Sequence, residues 1–436
     1  MALLKLEEKI GDKSATIGIV GLGYVGLPLA AAFAKAGFKV LGVDVQQKRV
    51  DAVNQGQSYI ADVTAKSTKY VIANNRLQAT TDQRRLKETD AICICVPTPL
   101  TKTKDPDLSY VINESKEISK CLQTGQLIVL ESTTYPGTTG EVVLPILERS
   151  GLKGGSDFYL AFSPERVDPG NKKFSISNTP KIVGGIDSRS TDLAKILYQQ
   201  VVETIVTVSC PEVAEMTKVF ENVFRSVNIA LVNELAQLCE KMGISVWEVI
   251  DAASTKAFGY VPFYPGPGIG GHCIPLDPYY LANKAREHDF HTRFIELAAE
   301  INESMPYYVT SRIMEALNAQ GRSLNGAKVL VLGVAYKKDV EDTRESPSLK
   351  LIQLLSGKGA KVNFNDPYVT KISLPQGELT SVKLTKANLS SADCVVIATA
   401  HSCYNMDQVI THAKLVFDAR GVTRGLKGYN IVRLGE

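Results

Sequence analysis

The sequence predicts an α/β protein with two doubly wound domains joined by a long central helix. Three observations lead to this prediction. Strand-length apolar runs rich in Ile and Val alternate with helical patterns over residues 1–208 and again from residue 328, which is typical of parallel sheets covered by helices on both faces. A long helical pattern, Pro211–Met242, separates the two blocks. The chain of 436 residues also exceeds what one hydrophobic core usually supports.

The strands of the first block are apolar runs bounded by turn or helix signals. They are predicted at Thr16–Val20, Lys39–Val43, Ala91–Val96, Leu127–Leu130, Tyr159–Phe162 and Lys181–Val183. In the long helix, Pro211 suits the first helical position and Gly243 suits the residue after the end. Shorter helices are predicted at Trp247–Ala253 and Tyr280–Glu287, on either side of a loop dense in Gly and Pro.

The second block repeats the alternation of strand and helix. Its strands are predicted at Lys328–Val334, Lys361–Phe364, Cys394–Ala398 and Leu415–Phe417, and a helix begins at Ser346-Pro347 and runs to about Ser356. These patterns predict three domains, at residues 1–208, 209–310 and 311–436.

Composition excludes several classes of partner. The net charge of +3 is too small to favour nucleic acid or a membrane surface. The first 14 residues lack the apolar core of a signal peptide, and no run approaches the roughly 20 apolar residues that span a bilayer. The eight cysteines are scattered, several of them inside apolar runs, which is typical of reduced thiols in a cytoplasmic protein.

A dinucleotide site is predicted where the first strand ends. Gly21, Gly23 and Gly26 form a GxGxxG motif between a strand and a helix, and Asp44 ends the next strand. In such Rossmann-like motifs the glycines allow a tight turn and a close approach of the pyrophosphate to the helix N-terminus. Asp44 would accept hydrogen bonds from ribose hydroxyls and repel a 2′-phosphate, which favours NAD over NADP. The alternative is a Gly-rich turn that binds nothing.

The loop at residues 264–273 suggests a catalytic thiol. Cys273 follows Gly270-Gly271-His272 in a loop of Gly and Pro, and Asp277 comes four residues later. A thiol placed there suits a covalent nucleophile, and a structural thiol at a domain junction is the alternative. His272 is interpreted as backbone support. No metal is expected, because no second Cys/His pair has ligand spacing.

Polar residues on the long helix and after two strands complete the candidate site. Lys218, Asn222 and Arg225 share one face of a largely apolar helix, which requires either a function or salt-bridge partners. Thr133 and Glu165 follow strands of the first block, at the carboxyl ends that face a cofactor crevice.

Together these motifs resemble the UDP-glucose/GDP-mannose dehydrogenase family over essentially the whole chain. The matching stretches are GLGYVGLPLA, ESTTYPGTT, SPERVDPG, EMTKVFEN, GPGIGGHCIPLDP and AYKKDVEDTRESP. The resemblance implies an NAD-binding domain, a central helical domain and a UDP-sugar-binding domain, together with the four-electron oxidation of a sugar C6 hydroxyl to a carboxylate. It also implies a homodimer or higher homo-oligomer that supplies precursors of surface polysaccharides such as O-antigen.

The resemblance also implies roles for individual residues. Cys273 is the nucleophile, Lys218 and Asn222 stabilise the oxyanion, Glu165 and Asp277 handle water and protons, and Thr133 contacts cofactor and water. Lys337 holds the nucleotide sugar, Arg344 reaches the cofactor, and Arg166 and Val167 contact the sugar. The remaining cofactor candidates are Tyr24, Val25, Arg49 and Thr98, and the remaining substrate candidates are Arg225, Tyr264, Gly268, Gly270 and Tyr336. For Arg49, a solvated helix position is an equal alternative.

The sugar is predicted from one further resemblance. The loop YPGPGIGGHCIPLDPYYL is similar to that of bacterial enzymes acting on UDP-N-acetylglucosamine. Relatives acting on UDP-N-acetylmannosamine carry a His-Pro-Arg segment upstream, where this chain has Ala257-Phe-Gly259. UDP-N-acetylglucosamine is therefore expected, with UDP-N-acetylgalactosamine and UDP-glucose as alternatives. The rival functions are a two-electron hydroxyacid dehydrogenase, which would not need Cys273 or a third domain, and a non-catalytic nucleotide-sugar sensor.

Overall fold

A computed structural model describes residues 2–60, 63–101, 105–167, 171, 173–271 and 274–436, with only the backbone described for residues 2–4. The chain divides into two compact units. Unit 1 consists of Met1–Glu221 and Tyr279–Phe290, and unit 2 consists of Asn222–Pro278 and His291–Glu436. His272 and Cys273, two residues that the sequence analysis singled out, lie outside the described residues.

Unit 1 contains an eight-stranded sheet. Its strands are β1 Thr16–Val20, β2 Lys39–Val43, β3 Leu77–Thr80, β4 Ala91–Ile94, β5 Leu127–Leu130, β6 Tyr159–Phe162, β7 Lys181–Gly185 and β8 Ile205–Thr207. Their order is β3-β2-β1-β4-β5-β6-β7-β8, and every pair is parallel except β6 with β7. The strand order reverses between β1 and β4, so the crevice at their carboxyl ends is a topological switch point, where ligands bind in such folds.

Helices cover both faces of this sheet. They are α1 Ala2–Gly11, α2 Gly26–Ala36, α3 Gln47–Asn54, α4 Ala65–Ala73, α5 Ser109–Cys121, α6 Leu144–Leu147 and α7 Ser188–Tyr198, with short 3₁₀ turns at Gln83–Glu88 and Glu148–Ser150 and a π-helical segment at Thr138–Val143. Side chains alternate between two cores, with Ile17 and Ile19 in one and Val20 in the other. This burial on both faces explains why the strands are continuous apolar runs.

Four helices follow in the middle of the chain. They are α8 Pro211–Met242, α9 Val246–Ala253, α10 Asp277–Arg286 and α11 Arg293–Asn318. The bounds of α8 are those that Pro211 and Gly243 predict. Helix α8 begins in unit 1 and ends in unit 2, whereas α10 begins in unit 2 and ends in unit 1.

Unit 2 contains a smaller parallel sheet. Its strands are β9 Lys328–Leu332, β10 Lys361–Asn365, β13 Cys394–Ile397, β14 Val416–Asp418 and β15 Ile431–Arg433, in the order β10-β9-β13-β14-β15, and β11 Lys371–Leu374 pairs antiparallel with β12 Gly377–Thr380. The helices are α12 Pro347–Gly357, α13 Lys386–Ser391 and α14 Met406–His412. Two cores cover the two faces of the sheet.

The predicted fold class is confirmed, with doubly wound parallel sheets before and after a long central helix. Strands β3, β8 and β15, the β11–β12 hairpin and helix α11 were not predicted. The predicted domain boundaries, 208/209 and 310/311, stay predictions. Among the helices of the described residues, none is long and apolar enough to cross a membrane.

Candidate active site

The turn after β1 has the form that a dinucleotide requires. Gly21 has φ +90° and its amide donates to the Val43 carbonyl at 2.7 Å. A Cβ on Gly26 would lie 1.8 Å from the Gly21 carbonyl oxygen, so no larger residue fits. A Cβ on Gly23 would meet nothing within 4 Å, so its backbone is open to an approaching group. Tyr24 and Val25 complete the turn, and α2 begins at Gly26, so the positive end of the helix dipole lies at this turn, where it favours phosphates.

Asp44 lies beside this turn, directly after β2. One carboxylate oxygen accepts the Leu22 amide at 2.8 Å, and the other accepts the Gln46 amide at 2.9 Å. The guanidinium of Arg49 also approaches the Asp44 carboxylate, at 3.2 Å. A carboxylate offers about four acceptor sites, so Asp44 retains capacity for a ribose hydroxyl. Arg49 is thus directed at Asp44, and its contact with the cofactor stays a prediction.

Three residues of unit 1 form a hydrogen-bonded chain at the carboxyl ends of β4 and β5. The Thr98 hydroxyl donates to the Thr133 carbonyl at 2.7 Å. The Tyr280 hydroxyl of α10 donates in turn to the Thr98 carbonyl at 2.6 Å. Thr98 and Thr133 are therefore held together at the edge of the sheet where the cofactor crevice is expected.

Glu165 is held by its own loop and by a buried cation. One carboxylate oxygen accepts the amides of Arg166 and Val167, both at 2.7 Å. The other oxygen lies 3.8 Å from Nζ of Lys181, which is paired with buried Glu131 at 2.7 Å. Burial raises the pKa of Glu131, and the Lys181 cation opposes this shift. Glu131 and Lys181 were not singled out in the sequence, because the two partners are 50 residues apart.

The Arg166 side chain is engaged within unit 1. Its guanidinium donates to the Glu221 carboxylate at 2.5 Å and to the Pro180 carbonyl at 2.7 Å. The predicted contacts of Arg166 and Val167 with the sugar stay predictions.

A buried carboxylate connects the Thr133 loop to the long helix. Glu215, fully buried near the start of α8, accepts the amides of Gly137 and Thr139 at 2.6 and 2.8 Å and the Thr139 hydroxyl at 2.7 Å. Lys218 follows Glu215 by about one helical turn on α8. Glu215 therefore fixes the loop that follows Thr133 against the helix segment that carries Lys218.

We expect this carboxylate to make stability depend on pH. Burial raises the pKa of Glu215 to about 7 from an ordinary value of 4.5, although its three donors oppose the shift. Between these values the folded protein retains a proton that the unfolded chain has lost. The contribution of Glu215 to stability is therefore complete below pH 4.5 and is lost as the pH rises through 7. Measured from pH 5 to 8, the difference in Tm between wild type and Glu215→Gln should shrink as the pH rises.

Thr139→Val supplies the matched test. It removes the hydroxyl that donates to Glu215, so the pKa of Glu215 should rise further. The pH range over which Glu215 loses its contribution to stability should then extend upward. Glu114, whose pKa burial also raises to about 7, is present in both proteins and cancels in the comparison. A Tm difference that does not change with pH would contradict the assignment.

In unit 2, helix α8 and the start of α10 bring two candidates together. The Asn222 amide donates to the Asp277 carboxylate at 2.5 Å, and Asp277 is buried. An amide nitrogen has two N–H groups, so Asn222 has a second one to offer. Lys218 precedes Asn222 by four residues on α8, and Arg225, further along the helix, is exposed.

The glycines before Cys273 allow another loop of unit 2 to approach closely. A Cβ on Gly271, whose φ is +93°, would lie 2.9 Å from the Tyr336 ring. A Cβ on Gly270 would lie 2.7 Å from Tyr336 Cβ. The Gly271 amide also donates to the Arg344 carbonyl at 2.9 Å. The loop after β9, which carries Tyr336, Lys337 and Arg344, therefore packs against the residues that precede Cys273.

The other substrate candidates in this region have structural contacts. Gly268 has φ +125° and is closely packed against Pro347. The Tyr264 ring stacks on Trp247 at 6.3 Å, and the Arg344 guanidinium pairs with Asp342 at 2.6 Å. The predicted ligand contacts of Tyr264, Gly268 and Arg344 stay predictions.

Two residues near these loops were missed in the sequence. The Tyr59 hydroxyl donates to the Leu22 carbonyl at 2.7 Å, which stabilises the turn after β1. Arg420, after β14, donates to the Ala398 carbonyl at 2.8 Å, and burial lowers its pKa to about 10. A Cβ on Gly266 would lie 2.5 Å from its guanidinium. The sequence offered one indication of Arg420, its position shortly after the apolar run that forms β14.

Comparison with known proteins places these features in one family. Sequence models of the UDP-glucose/GDP-mannose dehydrogenase family match in chain order: the NAD binding domain at residues 15–202, the central domain at 212–304 and the UDP binding domain at 330–425. The chain belongs to this family. NAD is accordingly the cofactor, and the turn after β1 with Asp44 provides a site that fits it.

Similar proteins within the family differ in the substrate that their names give. The UDP-N-acetyl-D-mannosamine dehydrogenase of Pyrococcus horikoshii is 36% identical over 94% of this chain and 96% of its own length. The UDP-N-acetyl-D-glucosamine 6-dehydrogenase of Salmonella typhi is 36% identical over 90% of this chain and 91% of its own length. A solved structure of the Pyrococcus horikoshii UDP-D-ManNAc dehydrogenase has a TM-score of 0.88, with 35% identity, and covers 96% of this chain and 99% of that one.

Within the described ranges, which omit His272 and Cys273, no three His, Cys, Asp or Glu side chains are arranged to hold a metal ion. The family assignment makes the chain an NAD-dependent oxidoreductase with a UDP-binding domain, so a UDP-sugar is its substrate class.

Asp44→Ser should narrow the preference for NAD over NADP. The substitution removes the charge that repels a 2′-phosphate and releases Arg49 from its ion pair at 3.2 Å, while the hydroxyl can still serve the turn. We expect the ratio of kcat/KM with NAD to kcat/KM with NADP to fall by roughly 100-fold, about 2.7 kcal/mol. Adding Arg49→Met to Asp44→Ser should remove the improved use of NADP. A wild-type enzyme that uses both cofactors equally would show that Asp44 does not set the preference.

Proposed function

We propose that the protein oxidises the C6 hydroxyl of a UDP-N-acetylhexosamine to the carboxylate in two NAD-dependent steps, through a covalent intermediate on Cys273. The observation that carries the proposal is the hydrogen bond from the Asn222 amide to the buried Asp277 carboxylate at 2.5 Å, because Asp277 lies four residues after Cys273 in sequence. The pair combines an amide donor for an oxyanion with a carboxylate for proton transfer, and the carboxylate is close in sequence to the proposed thiol nucleophile.

Covalent capture suits an oxidation that removes two hydrides. NAD, bound anew for each oxidation, would supply the hydride acceptor, so one alcohol, one water and two NAD yield one carboxylate, two NADH and three protons. The Cys273 thiolate adds to the aldehyde formed first, and the thiohemiacetal cannot leave before the second oxidation makes a thioester. Water then cleaves the thioester and restores the thiol. A free aldehyde would otherwise escape between the two steps.

The surrounding residues stabilise charge and move protons in this scheme. Lys218 and Asn222 stabilise the oxyanions of the thiohemiacetal and of thioester hydrolysis. Glu165, whose carboxylate is held by two backbone amides at 2.7 Å, activates the hydrolytic water. Asp277 can exchange the proton of the Cys273 thiol, and Thr133 orients the water.

We propose UDP-N-acetylglucosamine as the substrate. Its support is the segment Ala257-Phe-Gly259, which lacks the His and Arg expected of enzymes acting on UDP-N-acetylmannosamine. Relatives named for each sugar are equally similar in sequence, so the choice rests on this segment. The product would serve as a precursor of a surface polysaccharide.

A substrate panel tests the proposal directly. NADH absorbance is followed with purified protein, NAD and UDP-linked N-acetylglucosamine, N-acetylgalactosamine, N-acetylmannosamine or glucose. The highest kcat/KM is expected with UDP-N-acetylglucosamine, and each sugar oxidised should yield two NADH. Faster turnover of UDP-N-acetylmannosamine or UDP-glucose would overturn the choice of sugar. Binding of UDP-sugars without any NADH would indicate a sensor, and one NADH per sugar would indicate a two-electron dehydrogenase.

We also propose a homo-oligomer in the cytoplasm. Helix α8 exposes a row of large apolar side chains at helical spacing, with 62% exposure for Phe220, 62% for Leu231 and 64% for Met242. A long helix can pair with a second copy of itself by twofold symmetry, which would bury this row. The reduced cysteines among the described residues are consistent with the cytoplasm.

A further inference from the structure

The two units share one arrangement at the end of their first sheet strands. In unit 1, Gly21 has φ +90° and donates to the Val43 carbonyl, and the next amide, Leu22, donates to Asp44 at 2.8 Å. In unit 2, Gly333 has φ +83° and donates to the Asn365 carbonyl at 2.9 Å. The next amide, Val334, donates to Asp366 at 2.8 Å. Asp366 follows β10 as Asp44 follows β2, so Asp366 is the counterpart of the carboxylate predicted to hold ribose.

The carboxylates of Asp44 and Asp366 differ in the number of hydrogen bonds that they accept. Asp366 accepts five hydrogen bonds. The donors are the amides of Val334, Ala335, Tyr368 and Val369 and the imidazole of His401 at 3.0 Å. The side chains of Asp366 and His401 are fully buried. Asp366 has no acceptor capacity for a ribose, because His401 takes the place that a ligand hydroxyl would need.

His401 also contacts the loop after β9. Its Nδ1 accepts the Asp339 amide at 2.9 Å. Since a backbone amide can only donate, Nδ1 carries no proton, and Nε2 must donate to Asp366. The Asp339 carboxylate is fixed in turn by the amide and hydroxyl of Ser402, at 2.8 and 2.6 Å. One neutral imidazole therefore joins Asp366 to the far end of the loop.

The segment fixed in this way contains Tyr336 and Lys337. At its start, the Val334 and Ala335 amides bind Asp366, and the Ala335 carbonyl accepts the Thr399 hydroxyl at 2.6 Å. At its end, Asp339 binds His401. The backbone on both sides of Tyr336 and Lys337 is thus anchored to buried groups.

We infer that His401 is a positioning residue for nucleotide-sugar binding. It occupies the site that corresponds to the dinucleotide ribose in unit 1, and there it organises the Tyr336–Lys337 loop instead of admitting a ligand. The inference rests on the proposed function in one respect, the assignment of Lys337 to the nucleotide sugar. A loop whose backbone is already ordered binds its ligand without the cost of ordering that backbone on binding.

Titration calorimetry on the full-length protein tests this role, with UDP as one probe and NAD as the other. His401→Leu removes both imidazole hydrogen bonds and should weaken UDP binding about tenfold, or about 1.4 kcal/mol. NAD affinity should stay within twofold, because Asp44 and its turn lie in unit 1. His401→Asn, whose amide oxygen can still accept the Asp339 amide, should recover part of the loss and keeps the test valid if the leucine variant does not fold.

Thr310→Val is the matched control. It removes a buried hydroxyl of the same unit that donates to the Pro306 carbonyl at 2.7 Å rather than to Asp366, His401 or Asp339, and should leave UDP binding unchanged. His401 variants that are folded and bind UDP like wild type, while Lys337→Ala binds it weakly, would overturn the inference. Equal losses for UDP and NAD would also overturn it, because they indicate general destabilisation. Failure of the proposed function has a different signature: the wild-type protein itself would not bind UDP.

Discussion

Cys273→Ala is expected to abolish formation of the carboxylate while NAD and the UDP-sugar still bind. Without the thiol, the aldehyde has no covalent anchor, and the second oxidation would depend on hydration of a free aldehyde. Net formation of acid should fall at least about 1,000-fold, in line with the loss of a covalent nucleophile. Product is measured by chromatography with NADH absorbance, and ligand binding by calorimetry. Cys273→Ser is less informative, because an alkoxide forms less readily and its ester hydrolyses differently.

Cys403→Ala is the control for the loss of a thiol. Cys403 is exposed, and its substitution should leave both NADH yield and rate unchanged. An alanine variant at Cys273 that still yields two NADH per sugar at the wild-type rate would eliminate the covalent route. Aldehyde hydration would then be the path to the acid.

Glu165→Gln should trap the acyl-enzyme on Cys273. The glutamine oxygen can keep the hydrogen bonds from the Arg166 and Val167 amides, at 2.7 Å in the wild type, so the loop should survive. The amide cannot act as a base, so thioester hydrolysis should slow by roughly 100- to 10,000-fold. The two oxidations that precede it are retained for one turnover. Intact-protein mass spectrometry should show the added acyl group, together with a burst of two NADH per active site.

Two further variants make this result interpretable. Glu203→Gln changes an exposed carboxylate of the same unit and should show no added mass. Asp277→Asn tests the second candidate carboxylate, which is buried. If the adduct accumulates in Asp277→Asn and not in Glu165→Gln, then Asp277 is the residue that activates water.

Most strands were predictable because the apolar positions in their sequences are the positions that the fold buries, and the long helix was predictable because Pro211 and Gly243 indicate where it begins and ends. β1, β2, β5 and β6 have the bounds that their apolar runs predict. Helix α11 was missed because Pro306 lies inside it, and a proline normally indicates that a helix ends. Strand β8 was missed because it is short and largely exposed, so it is not marked by a run of buried apolar residues.

The candidate site was predictable where motif and strand end coincide, as at Gly21 and Asp44. Contacts between distant segments carried no such signal. Asn222 and Asp277 are 55 residues apart, and His401 and Asp366 are 35 apart. Asn222 and Asp277 were singled out in the sequence separately and not as partners, and only the fold brings the two residues of each pair within hydrogen-bonding distance.

The continuity of α8 limits how this protein could be adapted to another sugar. Lys218 and Asn222, the proposed oxyanion donors, are four residues apart in an unbroken helix, a rise of about 6 Å, so neither can shift without the other. Mutational libraries that vary the helix are therefore not expected to yield enzymes for new sugars. Libraries aimed at new sugars belong in the connecting segment at residues 257–259, because Gly268, Gly270 and Gly271 of the next loop are closely packed against Pro347 and Tyr336. The long helix keeps the spacing of Lys218 and Asn222 constant, so changes in substrate preference have to come from the loops.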